Sequence, residues 1–100
     1  MAKGHAIMWE SGDGAGPGRL DLHADRFELH GRARHLSIPF AEITGASIGR
    51  ARADRLLGMP VLVLRRDGEP PVRIASLEAP GLLHELAAGV AHGQTLLAQR

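Results

Sequence analysis

Cysteine is absent from this chain. Disulfides, thiolate-ligated zinc and thiol nucleophiles are therefore excluded. Tyrosine is absent too, and Trp9, Phe27 and Phe40 are the only aromatic residues. Packing must rest on Leu, Ile, Val and Ala. Lys3 is the one lysine, against eleven arginines, and Ala and Gly are abundant. That bias points to a GC-rich bacterial coding sequence. Charge of one sign is lacking: the formal net charge is +1, so the chain as a whole has no strong field toward nucleic acid or membrane. No apolar run approaches the roughly 18 residues of a membrane span. The opening Met-Ala-Lys-Gly-His lacks the apolar stretch of a secretory signal, and a cytoplasmic location is the expectation. The 100 residues make a single domain, 1–100, with a modest core.

What is present is a series of short strand-like runs. Residues 5–10 read as a first strand. Gly12, Gly14, Gly16, Pro17 and Gly18 then read as a flexible hairpin loop. Arg19–His23, Arg26–His30 and His35–Phe40 each alternate polar and apolar residues, the period of half-buried strands. A two-residue turn at Ala24-Asp25 sets Leu22 opposite Phe27 and Leu20 opposite Leu29. A four-residue loop at 31–34 sets Leu29 opposite Leu36 and Phe27 opposite Ile38. Every apolar side chain then shares one face, which a one-residue slip would expose. The outer face carries Arg19, His30 and His35 in one row and Asp21, Glu28 and Ser37 in the next.

Pro39 marks an edge or bend. Residues 42–49 read as a fifth strand with Ile43, Ala46 and Ile48 inward. Residues 49–58 form a basic connector with one helical turn. Val61-Leu62-Val63-Leu64 is a strand apolar on both faces. Asp67-Gly68 signals a turn before the return strand 72–75. Pro80 sits where helices start, and Leu82, Leu83, Leu86, Val90 and Leu97 make one apolar stripe on a helix of about 80–98. Gly89 and Gly93 each weaken that helix by roughly 1 kcal/mol relative to Ala, so it must be held by docking on the sheet.

The segment Gly18-Arg-Leu-Asp-Leu-His-Ala-Asp-Arg-Phe-Glu-Leu29, the step Ile38-Pro-Phe-Ala-Glu-Ile43, and the order of seven strands before one helix together resemble the pleckstrin-homology-like (PH-like) superfold in its bacterial PH or GRAM-like form. The resemblance covers nearly the whole chain. It implies a mainly β, barrel-like fold of about seven antiparallel strands in two bent sheets, plugged by the C-terminal helix. It also implies binding of lipid headgroups, peptides or proteins. Phosphoinositide-binding members use Lys and Arg around the loop between the first two strands. Here that loop is followed by Arg19 alone, and Asp13 opposes phosphate.

Other motifs dissolve on inspection. Gly45-Ala-Ser47-Ile-Gly49 matches G-x-S-x-G, but that chemistry needs a strand-to-helix elbow and a far larger sheet. His84-Glu85 starts like H-E-x-x-H, yet position 88 is Ala. His92 lies about 12 Å further along a helix, too far to share an ion with His84. The glycine run lacks the Gly-Lys-Ser/Thr and the helix of a phosphate loop. His30 and His35, opposite each other at about 5 Å between Cβ atoms, are the one pair able to approach a divalent ion. Two ligands fall short of the three or four of a zinc site, and Asp21 and Glu28 sit a row away.

Arg50, Arg52, Arg55, Arg65, Arg66 and Arg73 are the only concentration of charge, against Asp54, Asp67 and Glu69. Folded together they would offer phosphate or carboxylate groups bidentate partners. No aromatic interleaves them, so nucleic acid is not an expected partner. The expectation is a non-enzymatic binding or scaffold module without cofactor. Its partner is a protein or a second copy, met by the outward Val61 and Val63, by Leu96 and Leu97 beyond the sheet, and by the basic connector. The first alternative is an anionic lipid surface, at the inner membrane face, met by Arg50, Arg52, Arg55, Arg65 and Arg66. The second is a metal protein or enzyme using His30 and His35.

Overall fold

Alternating apolar residues build seven strands, and the helical stripe builds one helix. The strands are β1 (Lys3–Ser11), β2 (Gly14–Leu22), β3 (Arg26–Gly31), β4 (Arg34–Pro39), β5 (Ile43–Gly49), β6 (Val61–Arg66) and β7 (Glu69–Ser76), and the helix is α1 (Leu82–Ala98). The computed structural model describes residues 3–12, 14–79 and 81–99, Lys3 by its backbone alone. The expectations placed on Asp13 and Pro80 lie outside the described residues.

All strand pairs are antiparallel, in the order β4-β3-β2-β1-β7-β6-β5. The fold is mainly β, as expected. The two bent sheets are in fact one curled half-barrel, because β1 pairs with both β2 and β7. The register read from the sequence holds: Leu20 opposes Leu29, Phe27 opposes Ile38 and His30 opposes His35. The β3–β4 loop is tighter than four residues, because Gly31 and Arg34 pair with each other. Ala33 makes that turn at φ 60°.

The glycine run is a correction. Gly14–Gly18 are strand, paired with β1 from Ser11↔Gly14 to Ile7↔Gly18. Pro17 is tolerated because β3 pairing stops at Gly18↔Gly31, leaving Pro17 at a local edge. Gly18 makes room for Trp9. A Cβ at Gly18 would strike the His30 carbonyl oxygen and come within 2.8 Å of Trp9 Nε1. The indole, 1% exposed, donates to that carbonyl at 3.1 Å. The Arg34 guanidinium lies 3.8 Å over the ring and donates to Trp9 O at 2.8 Å and to Gly14 O at 2.9 Å. One arginine thus ties the β3–β4 turn to the β1–β2 hairpin.

The inner face of the sheet and α1 share the main core, with Trp9, Phe27, Phe40, Leu62 and Ile74 beneath Leu82, Leu83, Leu86 and Val90. α1 begins at Leu82, later than the expected 80, and Leu97 packs only partly against the core. A 3-10 turn at Phe40–Glu42 carries the chain from β4 to β5. Gln94 anchors it, donating to Phe40 O at 3.0 Å and Ile43 O at 2.8 Å. A register shift between Ile43 and Gly45 explains the uneven spacing of the inward candidates. Ile43 and Ile48 meet the core, whereas Ala46 is exposed. Among the described residues no helix is long and apolar enough to cross a membrane.

A second, smaller cluster lies on the opposite face. Leu56 from the connector covers Val61, Val63 and Ala75, with Met8 and Met59 beside it. The connector holds this position through a tight turn, with Leu56 N–H donating to Met59 O and Met59 N–H to Leu56 O at 3.1 and 2.9 Å. Leu57 and Gly58 turn it at φ 50° and 79°.

Candidate functional site

Where β5 ends, β6 begins and α1 starts, three segments diverge and leave a cleft of about 380 Å³. Ile48, Met59, Pro60, Leu77, Ala79 and Leu83 give it apolar walls. Leu77, in the linker between β7 and α1, is 47% exposed. Gly81 lines the same space, and apart from its own chain neighbours no atom lies within 4 Å of where its Cβ would sit. Arg50, Glu78 and His84 add charge and polarity. Arg50 Nη2 lies 3.3 Å from His84 Nε2, and Arg55 Nε donates to Arg50 O at 3.0 Å. Glu78 Oε1 accepts the Ala6 N–H at 2.7 Å and faces His5 Nδ1 at 3.4 Å, so its carboxylate is engaged. The sequence reading found Arg50 but missed the cleft. Its only sequence signal is an apolar Leu77 between polar neighbours.

The predicted partner residues divide. Val61 and Val63 are buried, Val63 at 7% exposure. The chain's own Leu56 and Met59 occupy the face expected to meet a neighbour, so those two valines form no open surface. Leu96 is 49% exposed. The six arginines do not make one patch. Arg65 shares the outer face of β6 with Val63, and Arg65 Nη1 donates to Ser47 Oγ at 3.1 Å. Arg66 lies beside Glu42, Thr44, Asp67 and Glu69 in a separate polar cleft, and its Nε is buried without a partner. Arg73 is occupied by Glu10 at 3.4 Å and by Ala53 O at 3.4 Å. Arg50, Arg52, Arg55 and Arg65 have no carboxylate within 4 Å among the described residues.

On the outer face of β2-β3-β4, His30 and His35 stand with ring centroids 4.8 Å apart. The acids in the next row do reach them: His30 Nε2 lies 3.1 Å from Asp21 Oδ2, and His35 Nε2 lies 2.6 Å from Glu28 Oε2. Glu28 also accepts from Arg26 at 2.7 Å and Ser37 at 3.1 Å. Arg26, above all, and then His35 and Ser37 hold the Glu28 carboxyl down at about 2. Arg26 is raised in turn, chiefly by its bond to Glu28. Among the described residues no group of three or more His, Asp or Glu can hold a metal ion. Ser47 sits within β5 and accepts from Arg65, in no elbow.

No protein-family model matches the chain, and no curated protein matches it. The fold is shared with solved structures. One is the C-terminal domain of an unknown protein from Leishmania infantum, at 14% identity and a TM-score of 0.68, covering 89% of this chain and 82% of that one. At that identity the likeness speaks for the fold alone.

Proposed function

We propose that the chain is a non-enzymatic, PH-like binding module of bacterial cytoplasm, and that it engages a segment of a partner protein in the cleft between β5, β6 and α1. One observation carries this reading. The core is closed and the outer face of β6 is covered, yet apolar walls at Ile48, Met59, Leu77 and Leu83 remain around an open space. A space of this size suits one or two apolar side chains of a bound segment. The strand order and the helix over one side support the PH-like assignment.

The test is site-specific crosslinking in cells. A photoreactive phenylalanine at Leu77 should give discrete protein adducts, and one at Ala33, in the β3–β4 turn, should not. Gly81→Phe, which adds a phenyl ring among the lining residues, should abolish the adducts. Adducts that survive Gly81→Phe would contradict the reading. An adduct of twice the chain's own mass would identify the partner as a second copy.

A second reading rests on Arg52, Arg55 and Arg65, which lack carboxylate partners among the described residues. It takes anionic lipid headgroups as the ligand. It requires sedimentation with anionic but not neutral vesicles, weakened as salt is raised and lost in the triple alanine variant.

A further inference from the structure

We propose that Arg50 and His84 form a proton-linked anion clamp at the cleft, so that the module selects an apolar segment bearing an adjacent acidic group and binds it more tightly as pH falls. The proposal rests on the cleft being a binding site and adds the chemistry of its occupant.

Arg50 Nη2 and His84 Nε2 are 3.3 Å apart. A guanidinium carries only donors and stays charged at any working pH. In a hydrogen bond between the two, the imidazole can only be the acceptor, through Nε2. A protonated His84 has no lone pair to offer. The bond is then lost, and two cations face each other across the same short gap. An anion between them removes that conflict and gains a charge-assisted hydrogen bond from each side.

The surroundings leave the place open. Arg50 has no carboxylate within 4 Å among the described residues, and Arg55 holds its backbone carbonyl at 3.0 Å. The charged and titratable groups around His84 are Arg50 at the end of β5, Glu78 in the β7–α1 linker and Glu85 in the first turn of α1. Glu78 is turned to Ala6 N–H and His5 Nδ1, and Glu85 is exposed. An incoming acid therefore meets a guanidinium with no acid of its own, beside an apolar space. By linkage, a ligand that prefers protonated His84 must also draw a proton onto it.

Two dyes of matched shape test this on the full chain. 8-Anilinonaphthalene-1-sulfonate joins apolar rings to a fixed negative charge, and N-phenyl-1-naphthylamine has the rings alone. Fluorescence titrations should show both dyes displaced by Gly81→Phe. The sulfonate dye should tighten about five-fold between about pH 8 and about pH 5.5, the span in which histidine titrates and carboxylates do not. The neutral dye should stay flat. Arg50→Ala should weaken the sulfonate dye about three- to five-fold at pH 8 and the neutral dye by distinctly less. His84→Gln should lose the acid gain. If the neutral dye binds but the sulfonate dye gains nothing from Arg50 or from acid, the clamp is wrong and the cleft stands. If neither dye is displaced by Gly81→Phe, the cleft reading fails and the clamp with it.

Discussion

Two glycines of one helix have opposite meanings. Gly93 lies under the Phe40 ring: a Cβ there would strike Cδ2 and come within 2.8 Å of Cε2. Phe40 is itself locked against Phe27, edge to face at 5.1 Å. Gly93→Ala should therefore destabilise by about 1–3 kcal/mol, the usual cost of overpacking. Gly89 has only Leu22 Cδ1 at 4.0 Å, so Gly89→Ala should stabilise by up to about 1 kcal/mol. Thermal or urea unfolding of the two variants reads both signs. Glu28 makes a pH prediction. Its folded-state carboxyl is held at about 2, below the ordinary glutamate value of about 4.3. The stability it contributes is complete above about pH 4.3 and is lost as pH falls toward 2. Urea titrations across that window should show the loss in the wild type and a smaller one in Glu28→Gln. Helical spacing alone ranked Gly89 and Gly93 as equal. Only the position of Phe40, which is close in space and remote in sequence, separates them.

At the scale of elements, alternation was enough to place β2, β3 and β4 in register, because one buried face leaves a single arrangement of Leu20, Phe27, Leu29 and Ile38. It failed for Gly14–Gly18. Glycine and proline normally punctuate a strand, and here Gly18 leaves room for the buried indole on the neighbouring strand and for the His30 carbonyl. It failed again for the outer face of β6. Two apolar faces mean that something covers each, and the sequence does not say whether the cover is a partner or the same chain. The cover is Leu56, held by a tight turn in which Leu57 takes φ 50° and stands 78% exposed. Leu56→Ala should cost about 2–4 kcal/mol, and it should uncover Val63. Unfolding measures the first effect. Sedimentation should show the variant associating at concentrations where the wild type does not. Leu57→Gly should be neutral or stabilising, since glycine adopts that backbone freely.

For the molecule as a whole, the succession of seven strands and one helix and the register of β2 to β4 were legible in the sequence, and the candidate site was legible only in part. Arg50 and His84 stood out as residues, but their meeting depends on the end of β5 and the start of α1 converging, 34 positions apart in the chain. The arginines read as one group were divided by the pleat, which sends Arg65 to Ser47 on the outer face and Arg66 into a separate polar cleft. What survives as the most specific open feature is the apolar cleft. The direct test is a methyl-resolved NMR titration with N-phenyl-1-naphthylamine. The methyls of Ile48, Met59, Leu77 and Leu83 should shift together with one dissociation constant, while Leu36 and Leu96 stay still. Shifts led by exposed Leu96, or spread evenly over the surface, would contradict a binding site at this cleft.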